Sequence, residues 1–270
     1  MQEQDYTFVI PAFSSKGELW PGTIFWIPAP PFEDKPETTF GVAVNGVPFD
    51  PIAAEWWDVI SDEVVSTPTP WNLNILRNDE MQYDQDCSHG HVQPDGAYHY
   101  HGFPDGVHDK ITAEQENATL PDGSEDPKTR DRSEIVLLGW AFDGNPIYGE
   151  ACGIDNAGLV SAKSSHRFRD STTVPPARTD AADPKVSEHP LGDFSEDYWY
   201  DQTLFLSDTT VQLDECNGHV GKTPEFTHGV YHYHVLRVGL TLSDIGFPYI
   251  ARCYRLFTYG QGPNVFPKGR

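Results

Sequence analysis

Short apolar runs broken by glycine, proline and aspartate dominate the chain, and they predict short strands and hairpins with few helices. "GVAV" (41–44) runs into Asn45-Gly46, and "GWAF" (139–142) runs into Asp143-Gly144. These dipeptides predict type I′ hairpin turns, whose two central residues both need positive φ. Pro48 and Pro146 follow, which predicts edge strands, because proline donates nothing to a ladder. "YHYH" occurs at 98–101 and again at 231–234. In a strand, Tyr98 and Tyr100 then share one face and His99 and His101 the other, and likewise Tyr231 and Tyr233 against His232 and His234. Aromatic rings bury well, so the tyrosine faces are expected to pack inward. "DPIAAEWWDVI" (50–60) sets Ile52, Trp56, Val59 and Ile60 at helical spacing and predicts a short helix, whereas "DQTLFLSDTTVQLDE" (201–215) alternates like a strand.

The pattern occurs twice. "GVAVNGVPF" (41–49) and "GWAFDGNPI" (139–147) fit the frame G-x-A-x-[ND]-G-x-P-x. "WNLNIL" at Trp71 and "CSHGHV" at Cys87 precede the first YHYH, and "WYDQTL" at Trp199 and "CNGHV" at Cys216 precede the second. Four blocks in one order make an internal repeat. The expected architecture is a mainly β single domain over residues 1–270, built from two pseudo-two-fold-related repeats at about 33–104 and 134–252. The polar run Ile111–Arg132 reads as a linker with a helical turn, and Ser161–Pro190 as a surface loop inserted in the second copy.

Composition narrows the partners. Against 18 basic residues stand 41 acidic ones, for a net charge of −23. Such a surface repels nucleic acid and anionic membranes and attracts cations. No apolar stretch is long enough to span a bilayer. The start, "MQEQDYTFVIPAF", has neither a basic segment nor an apolar run of the signal-peptide kind. Cys87, Cys152, Cys216 and Cys253 show no CxxC pairing, which suits two disulfides and an oxidising compartment. The connectivity that respects the repeat is Cys87–Cys152 with Cys216–Cys253, with Cys87 and Cys216 at one repeat position. Asn117-Ala118-Thr119 is a glycosylation sequon. Together these features point to the periplasm or the extracellular space.

A His-x-His strand offers two imidazole nitrogens to one ion, and a transition metal wants at least three protein groups. Two arrangements supply the rest. The two strands lie side by side, so that His99, His101, His232 and His234 converge, or each strand joins its own upstream histidine, His91 in the first copy and His219 in the second. The candidate metal ligands are therefore His91, His99, His101, His219, His232 and His234, with copper or zinc expected and no organic cofactor. His89 is an additional histidine in the first copy, and Asp86 and Glu215 are candidate outer groups. His108, His166 and His189 fall in no repeated block and read as structural.

These blocks resemble the YHYH family, from "VAVNGVPFDP" through "CSHGHVQPDGAYHYHG" and "GWAFDGNPIYG" to "LDECNGHV", "YHYHV" and "GFPYIARCYR". The resemblance implies an exported protein of a kind often attached to bacterial secreted architectures, and brings no activity with it. On function, the residues favour a metal-dependent hydrolase acting on a small molecule or neutral polymer, with the tyrosines, Asp143 or Glu215 handling protons. Two alternatives stand beside it: a non-catalytic periplasmic copper- or zinc-binding protein, and a carbohydrate-binding or Tyr/His lyase-type module. No nucleophile elbow is present, and no catalytic residue is assigned.

Overall fold

The computed structural model describes residues 23–26, 39–77, 85–116, 135–154, 158–169, 178, 183–207, 211–239 and 246–256. The sequon at Asn117, most of the Ile111–Arg132 run and part of the Ser161–Pro190 stretch lie outside them.

Eight short strands form the principal sheet. They are β1 (Gly41–Ala43), β2 (Pro48–Phe49), β3 (Gly90–Val92), β4 (Tyr98–Tyr100), β5 (Leu137–Ala141), β6 (Pro146–Tyr148), β7 (Gly218–Gly221) and β8 (Val230–His234). Their order across the sheet is β7-β8-β6-β5-β1-β2-β4-β3. β1 and β5 pair antiparallel at the centre. Outward on one side, β1–β2 is antiparallel, β2–β4 parallel and β4–β3 antiparallel. On the other side, β5–β6, β6–β8 and β8–β7 have the same three senses in the same order. Each parallel step sets the residue after the block's proline opposite the second tyrosine, Phe49 with Tyr100 and Ile147 with Tyr233.

The alternation in the YHYH strands decides where the core lies. Tyr100, Tyr231 and Tyr233 join Phe40, Phe49, Leu138 and Ile147 in one buried cluster, with Tyr98 packed against it. The tyrosine faces point inward as expected, and the histidines project from the other side of β4 and β8. The tyrosine hydroxyls find partners within the fold. Asn45 donates to Tyr100 Oη at 3.0 Å, and Tyr233 donates to Asp143 at 2.6 Å. Asn45 and Asp143 hold the same position in the repeated frame, so each turn residue anchors the tyrosine of its own half.

Several local expectations are corrected. The Asn-Gly and Asp-Gly loops are not type I′ turns. Gly46 (φ 85°) and Gly144 (φ 90°) take the left-handed conformation, but Asn45 and Asp143 do not. The bonds Gly46 N–H to Ala43 O and Ala43 N–H to Val47 O define a three-residue loop with glycine in the bulge position, repeated at Ala141–Asn145. Pro48 and Pro146 open interior strands and not edge strands, since the first residue of a strand also tolerates proline. Residues 50–60 hold no helix: Trp56–Asp58 is a strand paired with Glu63–Val65. The strand expected over 201–215 begins instead with helix α2 (Gln202–Ser207), the other described helix being α1 (Asp105–Glu116). Within Ser161–Pro190, Ser165, His166 and His189 are buried and His166–Phe168 pairs with Tyr198–Tyr200, so the described ends of that stretch belong to the body. Trp199 lies on that second strand, whereas Trp71 lies outside any strand.

Cys216 and Cys253 form a disulfide, as the repeat suggested. The companion Cys87–Cys152 bond does not form: Cys87 is exposed and Cys152 buried, each as a free thiol.

Candidate metal centres

Each YHYH strand pairs with its own upstream Gly-His strand. The antiparallel register sets His91 directly opposite His99, and His219 directly opposite His232. Opposed residues share a face, and the residue two further along joins them. Hairpin β3–β4 therefore gathers His91, His99 and His101, and hairpin β7–β8 gathers His219, His232 and His234, with the candidate ligand atoms of each group within 4.8 Å of one another. The four-histidine arrangement fails because β4 and β8 stand five strand spacings apart, roughly 24 Å.

In the first group the three Nε2 atoms form a triangle with sides of 3.1, 3.1 and 2.8 Å. In the second, His219 Nε2 and His234 Nε2 are 3.0 Å apart, and the His219 and His232 rings lie 4.4 Å apart between centroids. Nitrogens bonded at about 2.0–2.1 Å to a tetrahedral ion sit roughly 3.3 Å from one another. The spacing is therefore close to that of a three-imidazole site.

The loop before each Gly-His strand is built the same way twice. Asp86 Oδ1 accepts the N–H groups of Ser88 (2.8 Å) and Gly90 (3.1 Å), and Asp214 Oδ1 those of Cys216 and Gly218 (both 3.0 Å). The Tyr98 hydroxyl donates to Asp86, and that of Tyr231 to Asp214 at 3.0 Å. His89 and Asn217, with φ of 55° and 54°, take the left-handed conformation open to their residue types. Their carbonyls accept the N–H of His101 (2.9 Å) and His234 (2.8 Å). These contacts match Ser88, and not Cys87, with Cys216, so the cysteine alignment expected from sequence shifts by one residue. Glycine is required next: a Cβ on Gly90 would lie 2.2 Å from Tyr98 Oη, and one on Gly218 would lie 2.0 Å from Tyr231 Oη. Each tyrosine crosses over the glycine that precedes the ligand-candidate histidine.

Burial keeps the imidazoles neutral. It lowers His91, brings His99 down to about 4, aided by His91, and holds His101 well below its ordinary value. In the second group it brings His219 to about 3 and His232 to about 4, and His234 falls well below the usual range. All six are unprotonated at neutral pH, the state in which a ring nitrogen ligates. Two rings of the second group also have their tautomer fixed. His232 Nδ1 lies 3.0 Å from the Val230 carbonyl, and His234 Nδ1 bonds the Gly149 carbonyl. A carbonyl only accepts, so both Nδ1 atoms carry the proton and both Nε2 atoms present lone pairs.

Other sequence candidates fall elsewhere. His89 bonds the Phe103 carbonyl through Nδ1 at 3.1 Å and is in neither group, nor are His108, His166 and His189. Asp86 serves its loop. Asp143 accepts from Tyr233 on the opposite side of β8 from His232 and His234, so it cannot serve protons at that triad. The Glu215 carboxyl is raised by burial and by Asp214, on the loop before Gly218. Sequence reasoning missed Gly149 and Val230, because a carbonyl acceptor leaves no side-chain signature. A cavity of about 20 Å³, room for one water, is lined by His101, Asn74, Ser195 and Tyr249 among others.

Among the described residues, no helix is long and apolar enough to cross a membrane. Comparison with proteins of curated function and with solved structures gives no match. The model of the family described as YHYH protein matches residues 32–255, which takes in both hairpins, both repeated frames and the disulfide. The chain belongs to the YHYH family.

Proposed function

We propose that this protein binds two transition-metal ions, one on each hairpin, through His91, His99 and His101 and through His219, His232 and His234. The observation that carries this is the fixed tautomer of His232 and His234. Both Nε2 atoms are left as acceptors, and His219 Nε2, 3.0 Å from that of His234, can donate a proton to only one of them. A cation among the three rings takes up such lone pairs at once. Three neutral imidazoles suit zinc or copper. The net charge of −23 favours the approach of cations. The matched strand orders support a duplicated unit over about 33–104 and 134–252, with one ion per copy. The Cys216–Cys253 disulfide supports an exported protein of the periplasm or extracellular space.

Hydrolysis is the second reading, favoured by the ligand count. Three protein ligands leave one position of a tetrahedral ion open, as catalytic sites do. A bound ion would supply Lewis acidity toward a phosphoryl or carbonyl oxygen of a small or neutral substrate. The Tyr/His lyase alternative gains nothing, because the hydroxyls of Tyr98, Tyr231 and Tyr233 are committed to Asp86, Asp214 and Asp143. X-ray absorption on zinc-loaded protein tests the ligand set. The expected shell holds three imidazole nitrogens per ion at about 2.0–2.1 Å. A shell of oxygen alone, or one with sulfur, would refute it.

A further inference from the structure

The two centres differ in what stands behind the ligands. We infer that they are unequal metal sites: the β7–β8 centre is the tight one, filled first, and the β3–β4 centre is the weaker, exchanging one. This rests on the metal reading above and extends it to affinity.

A metal on Nε2 leaves the ring proton on Nδ1, and the group that accepts that proton orients the ring and raises its basicity. In the second hairpin both acceptors are in place, the Val230 carbonyl for His232 and the Gly149 carbonyl for His234. Gly149 follows directly on β6, the strand that β8 joins, so the sheet itself holds this acceptor. In the first hairpin the corresponding backbone groups of Ala97 and Asp50 lie toward His99 and His101. These contacts are weaker than those of the second hairpin, because neither buried Nδ1 reaches full hydrogen-bond geometry with any described residue. Loading the first site therefore leaves two buried N–H groups poorly satisfied.

The loops differ in the same direction. Cys216, three residues before His219, is fastened to Cys253, and Asp214 is clamped by Arg255 as well as Tyr231. Ser88 stands in the place of Cys216, and its hydroxyl accepts the Gly106 N–H at 2.9 Å without a covalent tie. His219 is therefore held more rigidly than His91. Loss of outer-shell partners commonly costs 10–100-fold in metal affinity, which sets the expected difference.

Competition titration of the full metal-free chain with Zn²⁺ against a chromogenic chelator tests the proposal. Two binding classes separated by about 10–100-fold are expected. His219→Gln should remove the tighter class and His91→Gln the weaker. Should either variant misfold, histidine ¹H–¹⁵N spectra of the unaltered chain at half an equivalent of Zn²⁺ supply the same assignment. His219, His232 and His234 should then shift before His91, His99 and His101. Two equal classes, or first filling of the His91 group, would overturn the inequality while leaving metal binding intact. No zinc uptake at either site would overturn both.

Discussion

Replacing Gly218 by alanine inserts a methyl group 2.0 Å from Tyr231 Oη and 2.3 Å from its Cζ. Tyr231 is buried in the main core and its hydroxyl donates to Asp214, so the ring has no vacant direction in which to retreat. The substitution must break a hydrogen bond to a carboxylate, about 1.5–3 kcal/mol, and overpack the core, about 1–3 kcal/mol. The expected loss is therefore about 3–5 kcal/mol. The matching change at Gly90 meets Tyr98 Oη at 2.2 Å, but Tyr98 is only half-buried and can swing outward. Its cost is expected near 1–2 kcal/mol, the loss of one partly solvated bond. Urea unfolding followed by the fluorescence of the seven tryptophans reads both. With a slope of about 3 kcal/mol/M, Gly218→Ala should lower the midpoint by more than 1 M and Gly90→Ala by about half that or less. Equal shifts, or a Gly218→Ala loss under about 1 kcal/mol, would refute the account of why glycine precedes each of these histidines.

Tyr233→Phe removes one of the donors to buried Asp143 and the acceptor of the Arg255 N–H. It should cost about 2–3 kcal/mol in the same assay, with near-neutrality as the contrary result. Replacing Cys216 and Cys253 by serine opens a loop of 37 residues. The expected loss is about 4 kcal/mol. Alkylation of the native chain should label exposed Cys87 and spare Cys152, whose buried thiol is pushed up to about 12; rapid labelling of both would contradict the burial. His166 is brought down to about 3 by burial, with Arg252 and Arg167 adding to it. The unfolded state then binds the extra proton as pH falls from about 6.5 towards 3. The contribution of His166 to stability is full above that window and lost within it, about 2 kcal/mol at pH 5 relative to pH 7, on top of the losses from the depressed triad histidines. His166→Gln should flatten this part of the melting-temperature profile, and an unchanged slope would assign the acid sensitivity elsewhere.

The site was legible because its signal is periodic. Tyr-His-Tyr-His alternates with the strand period, so the two faces and their opposite fates follow directly, and the repeated Gly-His supplies the third ring. Choosing between the two convergence schemes needed the strand order, which depends on long-range pairing that no local pattern encodes. The type I′ expectation failed at Asn45 because its side chain accepts the Val47 N–H, fixing a turn in which only Gly46 needs positive φ. Residues 50–60 matched a helical period, yet Asp58 turns the chain by accepting from Ile60 and Ser61, and Trp56 and Trp57 pair as a strand. The helix at Gln202 carried a readable sign that the alternation obscured: Asp201 accepts the Thr203 N–H, as an N-cap does. The missed acceptors at Gly149 and Val230 are backbone atoms, invisible until the fold sets them beside the rings.

Elemental analysis of untagged protein after zinc loading and exhaustive dialysis counts the ions that the two triads hold. Two ions per chain are expected, falling to one when His219, His232 and His234 are replaced together and to one when His91, His99 and His101 are replaced, with circular dichroism confirming each fold. No retained metal in a folded, unaltered chain supplied with zinc and with copper would contradict it, and would make both triads structural.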